Sequence, residues 1–150
     1  MDTAFAEYLS RVRSERAELG QSMAALESAL AEPEDADVSR RRVRAALTEL
    51  AHDLRVHVEL SESSQGIYAE LRSTAPRLST RVDAQLAEHP EMLAEVDRLL
   101  AERDDGLSGD EAVAEHRAAV TALLQTLTRH RRRSADLLHE AWDVDLGGSE

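Results

Sequence analysis

Residues 120–141 read VTALLQTLTRHRRRSADLLHEA, and the spacing of their apolar members decides the fold. Val120, Leu123, Leu127, Leu137 and Ala141 recur at intervals of three or four along the register, which places them on one face of an α-helix. His130 and Ser134 fall on the same stripe, where a core side chain is due. Three earlier stripes share this pattern. The first is Phe5, Tyr8, Val12, Arg16, Leu19, Met23, Leu26 and Leu30; the second is Val43, Leu47, Leu50, Leu54, His57 and Ser61. The third is Val82, Leu86, His89, Leu93, Val96 and Leu100. Such stripes form the buried seams of a helical bundle, so Arg16, His57, Ser61, His89, His130 and Ser134 are all expected to point inward.

Boundary signals give four helices, at about 3–31, 38–72, 77–103 and 109–142. Pro33 in the acidic run Glu32-Pro33-Glu34-Asp35-Ala36-Asp37 ends the first, and Asp35 or Asp37 can cap the second. Arg40-Arg41-Arg42 then forms a solvated, paired patch. Ser61-Glu62-Ser63-Ser64-Gln65-Gly66 is a weak point in the second helix, because hydroxyls compete for backbone hydrogen bonds and glycine adds freedom. In the third helix His89-Pro90 predicts a kink or a break, an interior proline costing roughly 3 kcal/mol. Ser108-Gly109-Asp110-Glu111 has the form of a capping box and opens the fourth. Short links between helices favour antiparallel neighbours, hence a single domain, 1–150, built as an all-α, up-down-up-down four-helix bundle.

Composition agrees with that fold and narrows the function. The chain has 150 residues, 42% hydrophobic and only 3% aromatic, enough for one continuous core. With 30 acidic against 18 basic residues the net charge is −12, which argues against a nucleic-acid or anionic-lipid partner. No cysteine is present, so disulfides, thiolate metal sites and thiol nucleophiles are excluded, and any site must use His, carboxylates or hydroxyls. No stretch approaches the roughly 20 apolar residues of a membrane span and the N-terminus lacks a signal pattern, so the expected location is the cytoplasm. Neither a nucleophile with its base nor a Gly-rich phosphate loop stands out, so no enzymatic activity is read from the residues.

The chemistry therefore rests on the polar layer. Alternating helix directions bring residues near the middle of each helix to one level. His57 with Ser61 and His130 with Ser134 are i,i+4 pairs, the spacing that aims two side chains at one place. His52, His116 and His139 lie off the register and are expected at the surface, as is the run Arg131-Arg132-Arg133. Asp143 and Asp145 before Gly147-Gly148 have neither the spacing nor the number of ligands of a calcium loop.

Three segments together resemble a hemerythrin-like (HHE cation-binding) domain: Leu54-Arg55-Val56-His57-Val58-Glu59-Leu60, Leu86-Ala87-Glu88-His89-Pro90, and His130 through Gly148. In the last, Ala135-Asp136-Leu137-Leu138-His139-Glu140-Ala141-Trp142 followed by Val144-Asp145-Leu146-Gly147-Gly148 is similar to the way some bacterial members end. The resemblance implies a four-helix bundle around a non-haem di-iron centre with His, Glu and Asp ligands, used to bind or sense oxygen, nitric oxide or iron. It places ligand histidines at His57, His89 and His130. Against that pattern, Glu15-Arg16 stands where a Glu-His pair is expected, Leu93 replaces a second histidine, and Ser61 and Ser134 replace acids.

Two readings follow. In one, three neutral imidazoles, His57, His89 and His130, hold one zinc or iron ion with water in the remaining position, and the chain binds or senses a small diatomic ligand. Glu62 or Glu59 can lend a carboxylate, and Arg16 must point away. In the other, no metal binds; Arg16, the histidines, Ser61 and Ser134 satisfy one another, and the bundle is an interaction or structural module.

Overall fold

The computed structural model describes residues 3–32, 35–102 and 109–142. Four long helices carry the fold: α1 (Thr3–Ala31), α2 (Ala36–Glu62), α4 (Ser79–Ala101) and α5 (Asp110–Trp142). Between α2 and α4 lie a short helix, α3 (Ile67–Thr74), and a 3-10 turn, Pro76–Leu78. Among the described residues there is no strand.

Local chemistry explains the ends. Asp35 caps α2, its side chain accepting from the Asp37 N–H at 2.9 Å. The first turn of α2 carries Asp37, and in the basic run that follows Arg40 pairs with Asp37 and Arg42 with Glu32. The helix expected over 38–72 is divided: α2 stops at Glu62 and α3 begins at Ile67. Ser63 holds the intervening turn, receiving the Gly66 N–H on its carbonyl at 2.8 Å and the Gln65 N–H on its hydroxyl at 3.3 Å. Gly66 is required there by a close approach. A Cβ at that position would lie 2.8 Å from the Tyr8 hydroxyl and 2.9 Å from the Ser63 carbonyl oxygen.

Pro90, by contrast, does not break its helix. It sits exposed inside α4, while Gln85, His89, Met92 and Val96 on both sides of it are buried. Packing of that face against two neighbouring helices offsets the proline penalty of roughly 3 kcal/mol. Ser108, which would complete the capping box, and the Asp143–Gly148 tail lie outside the described residues.

The long helices contact one another in a ring, α1 with α2, α2 with α4, α4 with α5, and α5 with α1. Inside it are two apolar clusters. The longer contains Leu19, Leu26, Leu47, Leu50, Leu54, Val96, Leu99, Val120 and Leu127. At the other end Tyr8, Val12, Ile67, Leu71, Val82 and Leu137 pack together, so α3 closes that end. Each fully buried leucine contributes roughly 1.5–3 kcal/mol relative to exposure, so both clusters are strongly held. No helix among the described residues is long and apolar enough to cross a membrane.

Candidate metal centre

The polar residues on the four stripes separate the two clusters. His57 on α2, His89 on α4 and His130 on α5 are 4%, 0% and 0% exposed, so their rings have left water almost completely. One ring nitrogen of each lies within 4.8 Å of the others, and the ring centroids are 5.1–5.3 Å apart in edge-to-face pairs. Nε2 of His57 and Nε2 of His130 are 3.2 Å apart. Two nitrogens on one tetrahedral ion with bonds of 2.0–2.1 Å stand about 3.3–3.4 Å apart, so this edge already has ligand spacing. A nitrogen of His89, within 4.8 Å of both, is the third corner of the triangle.

A carboxylate stands behind each ring. Glu88 Oε1 is 2.7 Å from His130 Nδ1, Glu62 Oε2 is 2.7 Å from His89 Nδ1, and Glu15 Oε1 is 3.2 Å from His57 Nδ1. The last contact is within ion-pair distance but off the line of a hydrogen bond. A carboxylate can only accept, so the proton of a neutral His89 or His130 belongs on Nδ1, and Nε2 keeps its lone pair. This is how metal-ligating histidines are oriented, the outer carboxylate fixing the tautomer and making the ring more basic. Nε2 of His89 is buried with no hydrogen-bond partner.

Electrostatics reinforce the neutral state of His130 and His89. Burial lowers the pKa of His130 to about 4, with the nearby His57 and His89 acting in the same direction against the pull of Glu88. Burial also lowers that of His89, and the hydrogen bond it donates to Glu62 opposes this only in part. On Glu88, burial raises the pKa but is outweighed by hydrogen bonds from His130 and Arg133, so its carboxyl stays ionised more readily than an ordinary one. Arg133, at the surface, donates to the second Glu88 oxygen at 2.8 Å.

One turn along α2, α4 and α5, on the side facing α3, lie Ser61, Gln85 and Ser134, all buried. The Ser61 hydroxyl donates to the His57 carbonyl at 2.7 Å, so it is turned onto its own helix. Ser134 is 3.1 Å from the Tyr68 hydroxyl. Gln85 donates to the His130 carbonyl at 3.0 Å and, more weakly, to the Tyr68 oxygen at 3.5 Å. Arg16 is buried on α1, the long helix that contributes no histidine to the triad, and its charge acts on the Tyr68 phenol.

Other expected positions divide. His52 and His139 are exposed, whereas His116 is half-buried and bonded to the Leu99 carbonyl at 3.2 Å. Glu59 is exposed, and Glu62 is the acid that meets His89. The solvated reading of Arg131-Arg132-Arg133 needs correction at its first member. Arg132 and Arg133 are exposed, but Arg131 is buried and crosses α1 beside Gly20, donating to the Arg16 carbonyl at 3.3 Å. The absence of a side chain at Gly20 leaves the space.

Sequence reasoning gave no role to Glu88, Tyr68 or Gln85, and noted Glu15 only beside Arg16. Gln85 could have been found, since it precedes His89 by one helical turn and therefore shares its face. Glu88 could not, because it serves a histidine on a different helix from its own. No family model, curated protein or solved structure matches the chain.

Proposed function

We propose that the chain binds one divalent transition-metal ion, zinc or iron, through Nε2 of His57, His89 and His130, and uses the open coordination position for a small ligand. The observation that carries this reading is an accounting of protons. With Nδ1 of His89 and His130 donating to Glu62 and Glu88, their Nε2 lone pairs face one enclosed centre beside His57, and an ion there would relieve their repulsion; the Glu15 carboxylate next to His57 Nδ1 favours the same tautomer for the third ring. A proton could take that place, but burial holds His130 neutral down to about pH 4. An ion there would act as a Lewis acid for a ligand at its open position. With ferrous iron the natural ligand class is oxygen or nitric oxide, which makes the chain a binder or sensor rather than an enzyme.

The reading takes the bundle as up-down-up-down and hemerythrin-like in plan. Support comes from contacts at matching levels: Tyr8 with Leu60, Arg55 with Asp97, Arg81 with Glu140, and Phe5 with Trp142. It departs from a di-iron centre in its donors. Bridging two ions needs carboxylates facing the centre, and here Ser61 and Ser134 occupy two such places, Leu93 a third, and Arg16 brings a positive charge. The acids present stand behind the rings.

One observation favours the metal-free module as a second reading. The 3.2 Å separation of the His57 and His130 Nε2 atoms also suits a hydrogen bond. That bond would place a proton on His57 Nε2, and a neutral His57 would then turn a bare Nδ1 toward the Glu15 carboxylate.

Metal-stripped protein should be loaded with Zn(II), or anaerobically with Fe(II), and analysed for ions per chain and by X-ray absorption. One ion per chain with nitrogen neighbours at about 2.0–2.1 Å, lost in His89→Ala, is the expected result. Two irons per chain with oxo-bridge absorption would contradict the single-ion reading. Less than about half an ion per chain, or equal retention by His89→Ala, would leave the metal-free module in its place.

A further inference from the structure

The seam between α1 and α5 is the loosest of the four in the ring. Two arginines of α5 span it, Arg131 donating to the Arg16 carbonyl and Arg117 to the Leu30 carbonyl. Between those two, no residue of α5 bonds to α1 among the described residues. The open stretch is a groove of about 740 Å³, and Met23, Leu30 and Leu124, all half-buried, line it. Thr121 and Thr128 add methyl groups, because their hydroxyls are turned onto α5, donating to the carbonyls of Arg117 and Leu124 at 3.0 and 2.9 Å. Apolar surface left open in this way marks a place of contact.

A second groove of about 740 Å³ lies between α1 and α2, and charge separates the two. That one is rimmed by Glu18, Glu49 and Asp53, and its one base, Arg42, is held by Glu32. In a chain of net charge −12 such a rim repels another copy. The α1–α5 groove is balanced instead. Glu27 stands on its α1 side and Arg129 on its α5 side, both exposed, and neither is in an ion pair among the described residues. Arg129 has only a long bond, 3.4 Å, to Thr126 on its own helix. The chain's own tail, 143–150, is a poor match, since it carries Asp143, Asp145 and Glu150 but no base to meet Glu27. A second copy matches on both counts. About a two-fold axis the acid of each copy meets the base of the other, and both pairs form at once.

We propose that the α1–α5 face joins two copies of the chain into a homodimer, in which Met23, Leu30 and Leu124 of each copy are covered by the other and Glu27 of one pairs with Arg129 of the other. The inference is independent of the metal reading, since no histidine of the triad lines the groove. Its strength follows from its size. The stretch from Arg117 to Arg131 is about 20 Å long at 1.5 Å per residue, and two helices side by side are about 20 Å wide, a footprint on the order of 400 Å². A standard interface buries about 800 Å² on each partner, so this dimer is reversible and dissociates in the micromolar range or above.

Sedimentation of the full chain, followed from micromolar to millimolar concentration, is expected to show a monomer–dimer equilibrium. Arg129→Glu and Glu27→Arg should each raise the dissociation constant at least about tenfold, because each sets two like-charged pairs in the contact. Glu27→Arg also makes the chain less acidic, so general repulsion alone predicts the opposite change for it. The double reversal has the wild-type net charge and should return to within about threefold of the wild-type constant. Both side chains are exposed, and circular dichroism checks that the variants remain helical. A chain that stays monomeric throughout would overturn the inference. So would a dimer that neither single reversal weakens, or a loss that the double reversal does not repair.

Discussion

The two ends of the bundle are built differently. The longer cluster closes on itself: Leu26, Leu47, Leu50, Val96, Leu99, Val120 and Leu123 come from the four long helices and need no additional element. At the other end α3 joins the long helices, its Ile67, Tyr68 and Leu71 buried in the cluster, and a polar layer intervenes before the first cluster begins. That difference separates stability from chemistry. One end supplies folding free energy by plain burial, and the other keeps buried polar groups whose cost is met only when each finds a partner.

Mutation tests the first half of this contrast. Leu50→Ala removes a fully buried side chain from the self-closing cluster and should cost about 2–5 kcal/mol in denaturant unfolding. Its metal stoichiometry should be unchanged. If Leu50→Ala lost the metal as completely as His89→Ala, the two ends would not be separable.

Acid tests the second half. In the folded, metal-free chain His130 titrates near 4, against about 6.5 when unfolded, so the unfolded state binds the extra proton between those values. Its contribution to stability is complete above about pH 6.5 and is lost as the pH falls toward 4. The full loss is on the order of 3 kcal/mol at 1.36 kcal/mol per unit. His89 shifts in the same direction and adds to it. Denaturant unfolding of chelator-treated protein at several pH values measures this, and a flat profile between pH 7 and 4.5 would show that the layer is not a neutral, desolvated one.

The smallest effect distinguishes ring orientation from ring presence. Glu88→Gln retains the size of the side chain but weakens its hold on His130 Nδ1, and it should reduce metal affinity about 10–100-fold, measured by competition with a chelator. An unchanged affinity would mean that Glu88 serves only its bond with Arg133.

Much of this was legible in the sequence because periodicity reports the face on which a residue lies. His57, His89 and His130 fell on apolar stripes and they are buried together. What periodicity cannot report is the partner across a helix pair. Glu88 sits next to His89 but bonds His130, and Arg131 sits in a charged run but reaches across α1 to a glycine. Of the kink or break expected at Pro90, the break rested on local propensity weighed alone. Burial on both sides of it keeps α4 continuous through the proline. The division of the second helix, in contrast, was signalled by Ser63, Ser64 and Gly66, where the local chemistry and the packing of Tyr8 agree.

The positions of the histidines along the chain have a topological consequence. A link at the centre joins residues 73 apart, from α2 to α5, and makes a ring that contains α3 and α4. An ion there would be a three-way cross-link, tying together helices that the backbone connects only through long detours. α1 lies wholly outside that ring. It is held by packing and by side-chain bonds such as Tyr8 to Leu60 and Arg131 to the Arg16 carbonyl, so the one long helix without a histidine in the triad is also the one that such a cross-link would not fasten.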